Sequence, residues 1–270
     1  MSETQPTYSE LKTEIIAHRL DLKEIEAREH EKARRPWRIY DSTLLTDPEI
    51  GERKDFSFQA CFASLLPKEV DGRPIENIRQ YIEETLSSRN GQALGIEFGG
   101  PARQLFDGFT QGFFQKTEGV VLKDIKPRSD YEPNGGRQHK ILEGDFFDIK
   151  IQREIGKWFD GEQVDLIFEK MEGGLDYLPY DFRLTMHQFS RMYAMLREGG
   201  LMFVQLPPPH HRVAGEYLGD IINDWVEGIH ANYPDVLELV VHQNLLRLNK
   251  LPGAPDVLPK INLPRMQDTK

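Results

Sequence analysis

The chain has 270 residues, of which 39% are hydrophobic and 29% are charged, and its formal net charge is −10. This balance is typical of a folded globular protein, and the negative net charge argues against a nucleic-acid backbone as the main ligand. The single cysteine, Cys61, excludes an internal disulfide framework and suits a small buried apolar role better than a catalytic one. No apolar run approaches the ~20 residues of a membrane span, and the first residues lack the pattern of a secretory signal, so we expect a cytoplasmic protein.

Residues 1–90 are predicted to form a helical extension. Apolar residues recur at helical spacing from Tyr8 to about Arg35, and again from Arg73 to Ser88. The basic stretch Arg28–Arg38 is either a solvated helix end or a contact surface for an anionic substrate or nucleic acid. We expect the extension to cover a crevice of the next domain or to mediate self-association into a homo-oligomer.

The next stretch is the one around which the rest of the chain is arranged. Ala93–Phe98 is an apolar run with one acid, Glu97, and two glycines and a proline follow it at once. The pattern predicts a strand, a tight glycine-rich turn and a helix from about Ala102 to Lys116. Such a turn lets a ligand approach the backbone, and the start of a helix offers that ligand free N–H groups.

Residues 91–250 continue with alternating strands and helices, which predicts an α/β domain with a mostly parallel sheet covered on both faces. Residues 251–270 contain several prolines and are predicted to form an extended tail. The further predicted strands are Val120–Lys123, Lys140–Glu143, Val164–Phe168, Leu201–Leu206, Leu237–Gln243 and Leu245–Leu248, and the further predicted helices are Ile149–Phe159, Tyr180–Leu196 and Val213–Ile229.

Acidic residues follow the predicted strands at the edge where ligands bind in such sheets. Asp124 follows the second strand, and its carboxylate suits the two hydroxyls of a ribose. Asp145 follows the third strand and suits an exocyclic amine, while the neighbouring Phe146 can cover a flat ring. Together with the glycine-rich turn, these groups suit an adenosine moiety. Asp124 and Asp145 can also be ordinary strand-end and turn residues.

These stretches resemble the motifs of class I S-adenosylmethionine-dependent methyltransferases. Leu94–Pro101 resembles the first motif, and Val120–Asp124 resembles the second strand with its ribose-binding acid. Gly144–Phe146 resembles the adenine-contacting turn, and Val164–Phe168 resembles the fourth strand. Leu196–Val204 is similar to the common Leu-(Lys/Arg)-x-Gly-Gly entry into the fifth strand.

The resemblance implies a Rossmann-like fold, S-adenosylmethionine as the cofactor and methyl transfer to an acceptor that the sequence does not identify. It also implies roles for individual residues. Glu97 organises the first turn, and Arg103 either pairs with the cofactor carboxylate or obstructs its pocket. The implied cofactor contacts are Gly99, Gly100 and Pro101 for the methionine part, Asp124 for the ribose, and Asp145 with Phe146 for the adenine.

Three further residues are candidates for work on the acceptor. Glu169 and Lys170 follow the fourth strand and either act on the acceptor or pair with each other. His210 follows the fifth strand and is either a general base or part of a solvated loop, since imidazole titrates near neutral pH. The spacing of His, Cys, Asp and Glu shows no metal-site pattern.

The chain also departs from the family pattern. Ala102 and Arg103 stand where a further glycine of the first motif is expected, and no Asn/Asp-Pro-Pro-Tyr/Phe follows the fourth strand. An alternative function is therefore a non-catalytic binding or scaffold protein with a degenerate cofactor pocket. A nicotinamide-dependent oxidoreductase has less support, because the turn lacks Gly-x-Gly-x-x-Gly.

Overall fold

The computed structural model describes residues 62–121, 131–144, 146, 148–169, 182–206, 209–210, 212–213 and 216–259. Before the main sheet, the chain forms a hairpin of β1 (Glu69–Val70) and β2 (Arg73–Pro74), and then helix α1 (Ile78–Thr85). The side chain of Asn77 caps α1 by accepting a hydrogen bond from the Gln80 N–H.

The remaining elements alternate between strands and helices. In chain order they are β3 (Ala93–Phe98), α2 (Arg103–Asp107), β4 (Phe114–Val121), β5 (Gln138–Glu143), α3 (Ile149–Trp158), β6 (Val164–Glu169), α4 (Phe182–Met195), β7 (Leu196–Gln205), β8 (Arg212–Val213), β9 (Glu216–Tyr217), α5 (Leu218–Asn232), β10 (Leu237–His242) and β11 (Leu245–Lys250). Among the described residues, no helix combines the length and the apolar composition that crossing a bilayer requires.

Seven strands form one sheet in the order β10-β11-β7-β6-β3-β4-β5. The pairs among β5, β4, β3, β6 and β7 are parallel, and β11 is antiparallel to both β7 and β10. From β3 the chain first builds outward through β4 and β5, and then returns to add β6 and β7 on the other side. The switch point therefore lies between β3 and β6, where ligands bind in open α/β sheets. The predicted Rossmann-like, mostly parallel sheet is confirmed.

Helices cover both faces of this sheet. On one face, α1 and α2 bury Ile78, Tyr81 and Phe106 against Phe168 and Phe203 of the sheet. On the other face, α3, α4 and α5 bury a second apolar cluster, whose helical members include Ile155, Phe189 and Trp225. The segment from residue 62 to residue 92 thus packs on the sheet directly, because Phe62 lies 5.4 Å from Phe203 between ring centroids.

The helix predicted from Ala102 to Lys116 is wrong in its second half. Helix α2 ends at Asp107, and Phe114 already begins strand β4. The glycines at 108 and 112 interrupt the helix, and Gly112 has a φ of +80°. Phe114 then packs between Phe106 and Phe109, at ring distances of 4.8 and 5.0 Å. Tertiary packing of aromatic residues therefore overrides the local helical spacing.

Two other predicted helices begin later in the structure. The helix expected from Arg73 starts at Ile78, because Arg73 and Pro74 pair with the preceding strand β1. Pro74 is thus a hairpin residue and not part of a first helical turn. The helix expected from Val213 starts at Leu218, since Arg212–Val213 pairs with Glu216–Tyr217.

Residues 251–259 follow the last strand without a helix or strand of their own. They lie against the helical layer, where Tyr193 donates a hydrogen bond to the Pro255 carbonyl at 2.6 Å. Trp225 donates another to the Pro259 carbonyl at 2.7 Å, and the side chain of Leu258 is buried. These contacts attach the described part of the tail to α4 and α5.

Candidate functional site

The glycine-rich turn stands at the carboxyl end of β3, at the switch point of the sheet. Gly99 continues from β3 with a φ of +88°, and its N–H donates to the Val120 carbonyl at 2.8 Å. The carboxylate of Glu97 is buried beneath the turn and accepts the Ala102 N–H at 2.7 Å. A buried acid thus holds the backbone in a tight curve, where a free N–H would otherwise be costly.

Glycine is required at position 100 for a steric reason. A Cβ on Gly100 would lie 2.1 Å from Glu97 Oε1, which is far inside van der Waals contact. Ala102 closes the turn with a φ of +57°, a left-handed conformation that costs an alanine more than a glycine. The missing side chain of Gly100 therefore leaves room for the Glu97 carboxylate on the inner side of the turn.

A second glycine, which the sequence pattern did not single out, allows the turn to rest on the neighbouring strand. A Cβ on Gly119 of β4 would lie 2.4 Å from the Pro101 carbonyl carbon. The close approach explains why a glycine stands inside an otherwise buried strand. In the sequence, this contact is marked only by a single glycine within an apolar run, and such a glycine is weak evidence by itself.

Arg103 begins α2 and is almost fully buried beside the loop that leads to β5. Its guanidinium lies 5.9 Å from the centroid of the Tyr131 ring. The hydroxyl of Tyr131 donates to Asp107 at 3.0 Å and accepts from Arg137 Nη2 at 2.7 Å, while the same Nη2 donates to Asp107 at 2.9 Å. Burial is the main cause that raises the pKa of Tyr131. We call Asp107, Tyr131 and Arg137 the loop clamp.

His139 on β5 lies between the loop clamp and the strand that supports the turn. Its Nδ1 is 2.9 Å from the Thr117 hydroxyl, and its ring is 5.4 Å from that of Tyr131. Burial, followed by the charges of Arg137 and Arg103, lowers the pKa of His139 to about 4. The imidazole is therefore neutral at physiological pH. No pattern in the sequence singles out His139 or the loop clamp.

Phe146 and Glu169 lie at the same edge of the sheet as the turn. Phe146 is buried, and its ring centroid is 4.4 Å from that of Phe98, the last residue before the turn. Glu169 is fully buried and is paired in register with Phe98 on the neighbouring strand. The structure therefore brings the turn, Phe146 and Glu169 together at the switch point.

The other predicted site residues are placed differently or lie outside the described part of the chain. His210 is exposed, beyond the carboxyl end of β7. Asp124, Asp145 and Lys170 lie outside the described residues, as do Cys61 and the basic stretch from 28 to 38. Within the described ranges, no group of three or more His, Cys, Asp or Glu side chains is arranged to hold a metal ion.

No protein-family model matches this chain, and no curated protein matches it. Solved structures with some likeness to it include an rRNA methylase from Streptococcus thermophilus, at 11% identity and a TM-score of 0.38, covering 68% of this chain and 99% of that one. An N-methyltransferase from Bradyrhizobium japonicum matches at 13% and 0.37, covering 64% and 94%. A SAM-bound amino pentose methyltransferase from Micromonospora echinaspora matches at 15% and 0.31, covering 51% and 52%.

All three are methyltransferases. At such low identities and scores, however, the likeness is no argument about activity. The strand order and strand directions of this chain establish its fold.

Proposed function

We propose that this protein is an S-adenosylmethionine-dependent methyltransferase with an acceptor that is still to be identified. One observation carries the proposal. A turn of bare glycine backbone, held from below by the buried Glu97, lies at the carboxyl end of β3 and at the switch point of a parallel sheet.

The residues at the turn suit the cofactor. The proposed contacts of the methionine part are the backbone of Gly99 and Gly100 and the neighbouring Pro101, because glycine allows a ligand to approach the main chain closely. The Phe146 ring lies 4.4 Å between centroids from the ring of Phe98, the last residue of β3, and we expect the adenine on this side. Asp124 for the ribose and Asp145 for the adenine complete the proposed set, and Arg103 is proposed to face the cofactor carboxylate.

When bound, the cofactor supplies an electrophilic methyl group on its sulfonium. The chain's own contribution is to orient the acceptor for in-line attack and to keep water out. The buried Glu169, at the next strand end, is the proposed contact of the acceptor, together with Lys170. His210 is a candidate base only for an acceptor that must lose a proton during transfer.

Calorimetric titration with S-adenosylhomocysteine tests this proposal. We expect binding by the full chain, and a loss of at least ~10-fold in affinity for Asp124→Ala, because a carboxylate that accepts from two hydroxyls is removed. Asp224→Ala, an exposed acid on α5, is the matched control and should bind as the unmodified chain does. No heat signal at high micromolar concentration contradicts the proposal.

A second candidate function is a binding or scaffold protein that keeps the fold without the chemistry. It is favoured by Ala102, which adopts a left-handed conformation where a glycine is the natural choice, and by the bulky Arg103 that follows it. This candidate predicts that S-adenosylhomocysteine does not bind. It also predicts that Asp124→Ala leaves the binding of a protein partner unchanged.

We further propose that the protein works in the cytoplasm and associates with itself through the segment from 1 to 90. Subcellular fractionation tests the first point. Light scattering after gel filtration tests the second, and a strictly monomeric mass at micromolar concentration contradicts it.

A further inference from the structure

A cavity of about 280 Å³ lies between helices α3 and α4, apart from the glycine-rich turn. It is lined by residues of the last turn of α4 and by the segment that immediately precedes β6. Because β6 and β7 are parallel to β3, these residues lie towards the amino ends of the strands, whereas the turn lies at the carboxyl end. Apart from Phe146, which lies at the carboxyl edge, most of the cavity lining is therefore away from the region where ligands usually bind in this type of sheet.

The walls of the cavity are mostly apolar. Phe146, Ile155, Phe159 and Met195 line it, and three of these four side chains are core residues. A volume near 280 Å³ is close to the lower end of the range for small-molecule pockets. The cavity can therefore hold the apolar body of a small ligand.

Arg191 is the cationic side chain among the residues that line the cavity. The Nη1 atom of Arg191 is buried, and within the described part of the chain it has no hydrogen-bond partner. A buried guanidinium nitrogen without an acceptor is costly, and a carboxylate is the group that its planar geometry matches best. Glu162 also lines the cavity but is exposed, so it is not a buried counter-charge.

The cavity also explains a glycine that is otherwise unfavourable. Gly156 lies inside α3 and lines the cavity, and a Cβ built on it would meet no atom within 4 Å. Packing therefore does not require glycine here, and alanine would favour the helix more. The glycine leaves this side of the cavity free of a side chain.

From these observations we propose that the cavity is a binding site for a small monocarboxylate with an apolar body, whose carboxylate pairs with Arg191. Gly156 forms its open side, and Phe146, Ile155 and Phe159 contact the apolar part. This site shares Phe146 with the proposed adenine contact, but its charged end at Arg191 lies away from the glycine-rich turn, and binding there does not depend on methyl transfer. The Phe146 ring lines the cavity and also contacts Phe98 at the end of β3.

The test uses 3-phenylpropionate as the probe and its neutral amide as the comparison, titrated into the full chain and followed by NMR. We expect the carboxylate to bind with a dissociation constant of about 1 mM, as is usual for ligands of this size. The amide should bind at least ~10-fold more weakly, because it brings no charge to the guanidinium.

Variants locate the binding. Arg191→Met keeps the apolar stem and should weaken binding of the carboxylate ~10-fold, whereas Arg153→Met, an exposed arginine of α3, should leave it unchanged. Gly156→Leu should abolish binding by filling the cavity, and Glu162→Gln should strengthen it by removing a like charge. Gly228→Leu is the steric control, because Gly228 is also an exposed helical glycine whose Cβ would meet no atom within 4 Å.

Three results would overturn the proposal. The first is equal affinity for the carboxylate and the amide, and the second is unchanged affinity in the Gly156→Leu variant. The third is the absence of any shift at probe concentrations tenfold above the expected dissociation constant.

Discussion

Among single residues, Glu118 on β4 is an acid whose charged form is disfavoured by its surroundings. It is fully buried, it makes no hydrogen bond within the described chain, and the nearest cation, Lys140 Nζ, is 3.9 Å away. Burial raises the pKa of Glu118 to about 8, although Lys140 acts in the opposite direction and Glu154 adds to the rise. Glu118 faces α3, on the opposite side of β4 from Gly119, so the shift belongs to the core and not to the candidate site.

This pKa shift predicts how stability depends on pH. The folded-state pKa near 8 exceeds the ordinary value of 4.5, so the protonated form is favoured by folding. The resulting stability is fully present below about pH 4.5 and is lost as the pH rises through 8. Glu118→Gln mimics the protonated carboxyl, and we expect it to raise the free energy of unfolding at pH 9 by about 2 kcal/mol. Urea unfolding at pH 5 and pH 9 measures this difference.

Glu227→Gln, an exposed glutamate of α5, is the matched control and should leave the pH dependence unchanged. An equal gain in stability at pH 5 and pH 9 would contradict the explanation, because it would not depend on ionisation.

At the scale of elements, the strand-turn-helix unit is held together by close backbone packing. Glu97 accepts from the turn, Pro101 rests on Gly119, and a Cβ on Gly95 would lie 2.3 Å from the Phe106 ring of α2. Because glycines allow these close contacts, α2 can pack tightly against β3. They also leave little freedom for substitution in the turn.

Gly100→Ala tests the packing of the turn. The added Cβ would overlap the Glu97 carboxylate, so either the Glu97 side chain or the turn must move. We expect a loss of about 2 kcal/mol in the free energy of unfolding, with weaker binding of S-adenosylhomocysteine. In Gly228→Ala the Cβ meets no atom, and thermal unfolding should show equal or slightly higher stability.

The loop clamp also connects elements, since it joins the loop before β5 to the end of α2. Asp107 receives hydrogen bonds from both Tyr131 and Arg137, and the Arg137 side chain is only 3% exposed. Asp107→Asn leaves the buried guanidinium without its counter-charge, so we expect a loss of about 2–3 kcal/mol by urea unfolding.

A matched control is available at the surface. Asp160 is 71% exposed and pairs with Lys116, so Asp160→Asn should change stability by less than ~1 kcal/mol. Equal losses in the Asp107 and Asp160 variants would show that the loop clamp is no more important than a surface ion pair.

At the scale of the whole molecule, the sheet is completed by elements that are distant in sequence. Tyr81 of α1 hydrogen-bonds to Arg247 of β11, and residues 251–259 return to cover α4 and α5. The described tail is thus part of the helical layer on that face. Its removal would expose apolar residues of the core.

Two neighbouring residues of the tail provide the test. Leu258 is 1% exposed and belongs to the core cluster, whereas Val257 is 67% exposed. Leu258→Ala should lower the free energy of unfolding by about 2–4 kcal/mol, and Val257→Ala by less than ~0.5 kcal/mol. If both variants unfold at the temperature of the unmodified chain, the tail does not contribute to folding.

Local patterns determined several elements of this protein by themselves. Ala93–Phe98 is a strand with the predicted bounds, because its apolar run is enclosed by Gly91 on one side and Gly99 on the other. Helix α3 buries Ile155 and has Asp148 as its N-cap, and it ends one residue from its predicted end. The alternation of such elements suffices for a mostly parallel sheet with its switch point beside Gly99, because connection rules leave few other arrangements. The roles of Asp124 and Asp145 remain predictions.

Only the tertiary structure decided the rest, because it depends on contacts between residues that are far apart in sequence. Phe114 became the start of a strand through its packing on Phe106 and Phe109, against the helical spacing around it. The loop clamp joins residues 24 to 30 positions apart, so no local pattern marks it. The burial of Glu118 and the cavity beside Arg191 likewise follow from how α3 and α4 pack on the sheet, and local sequence carries no record of that packing.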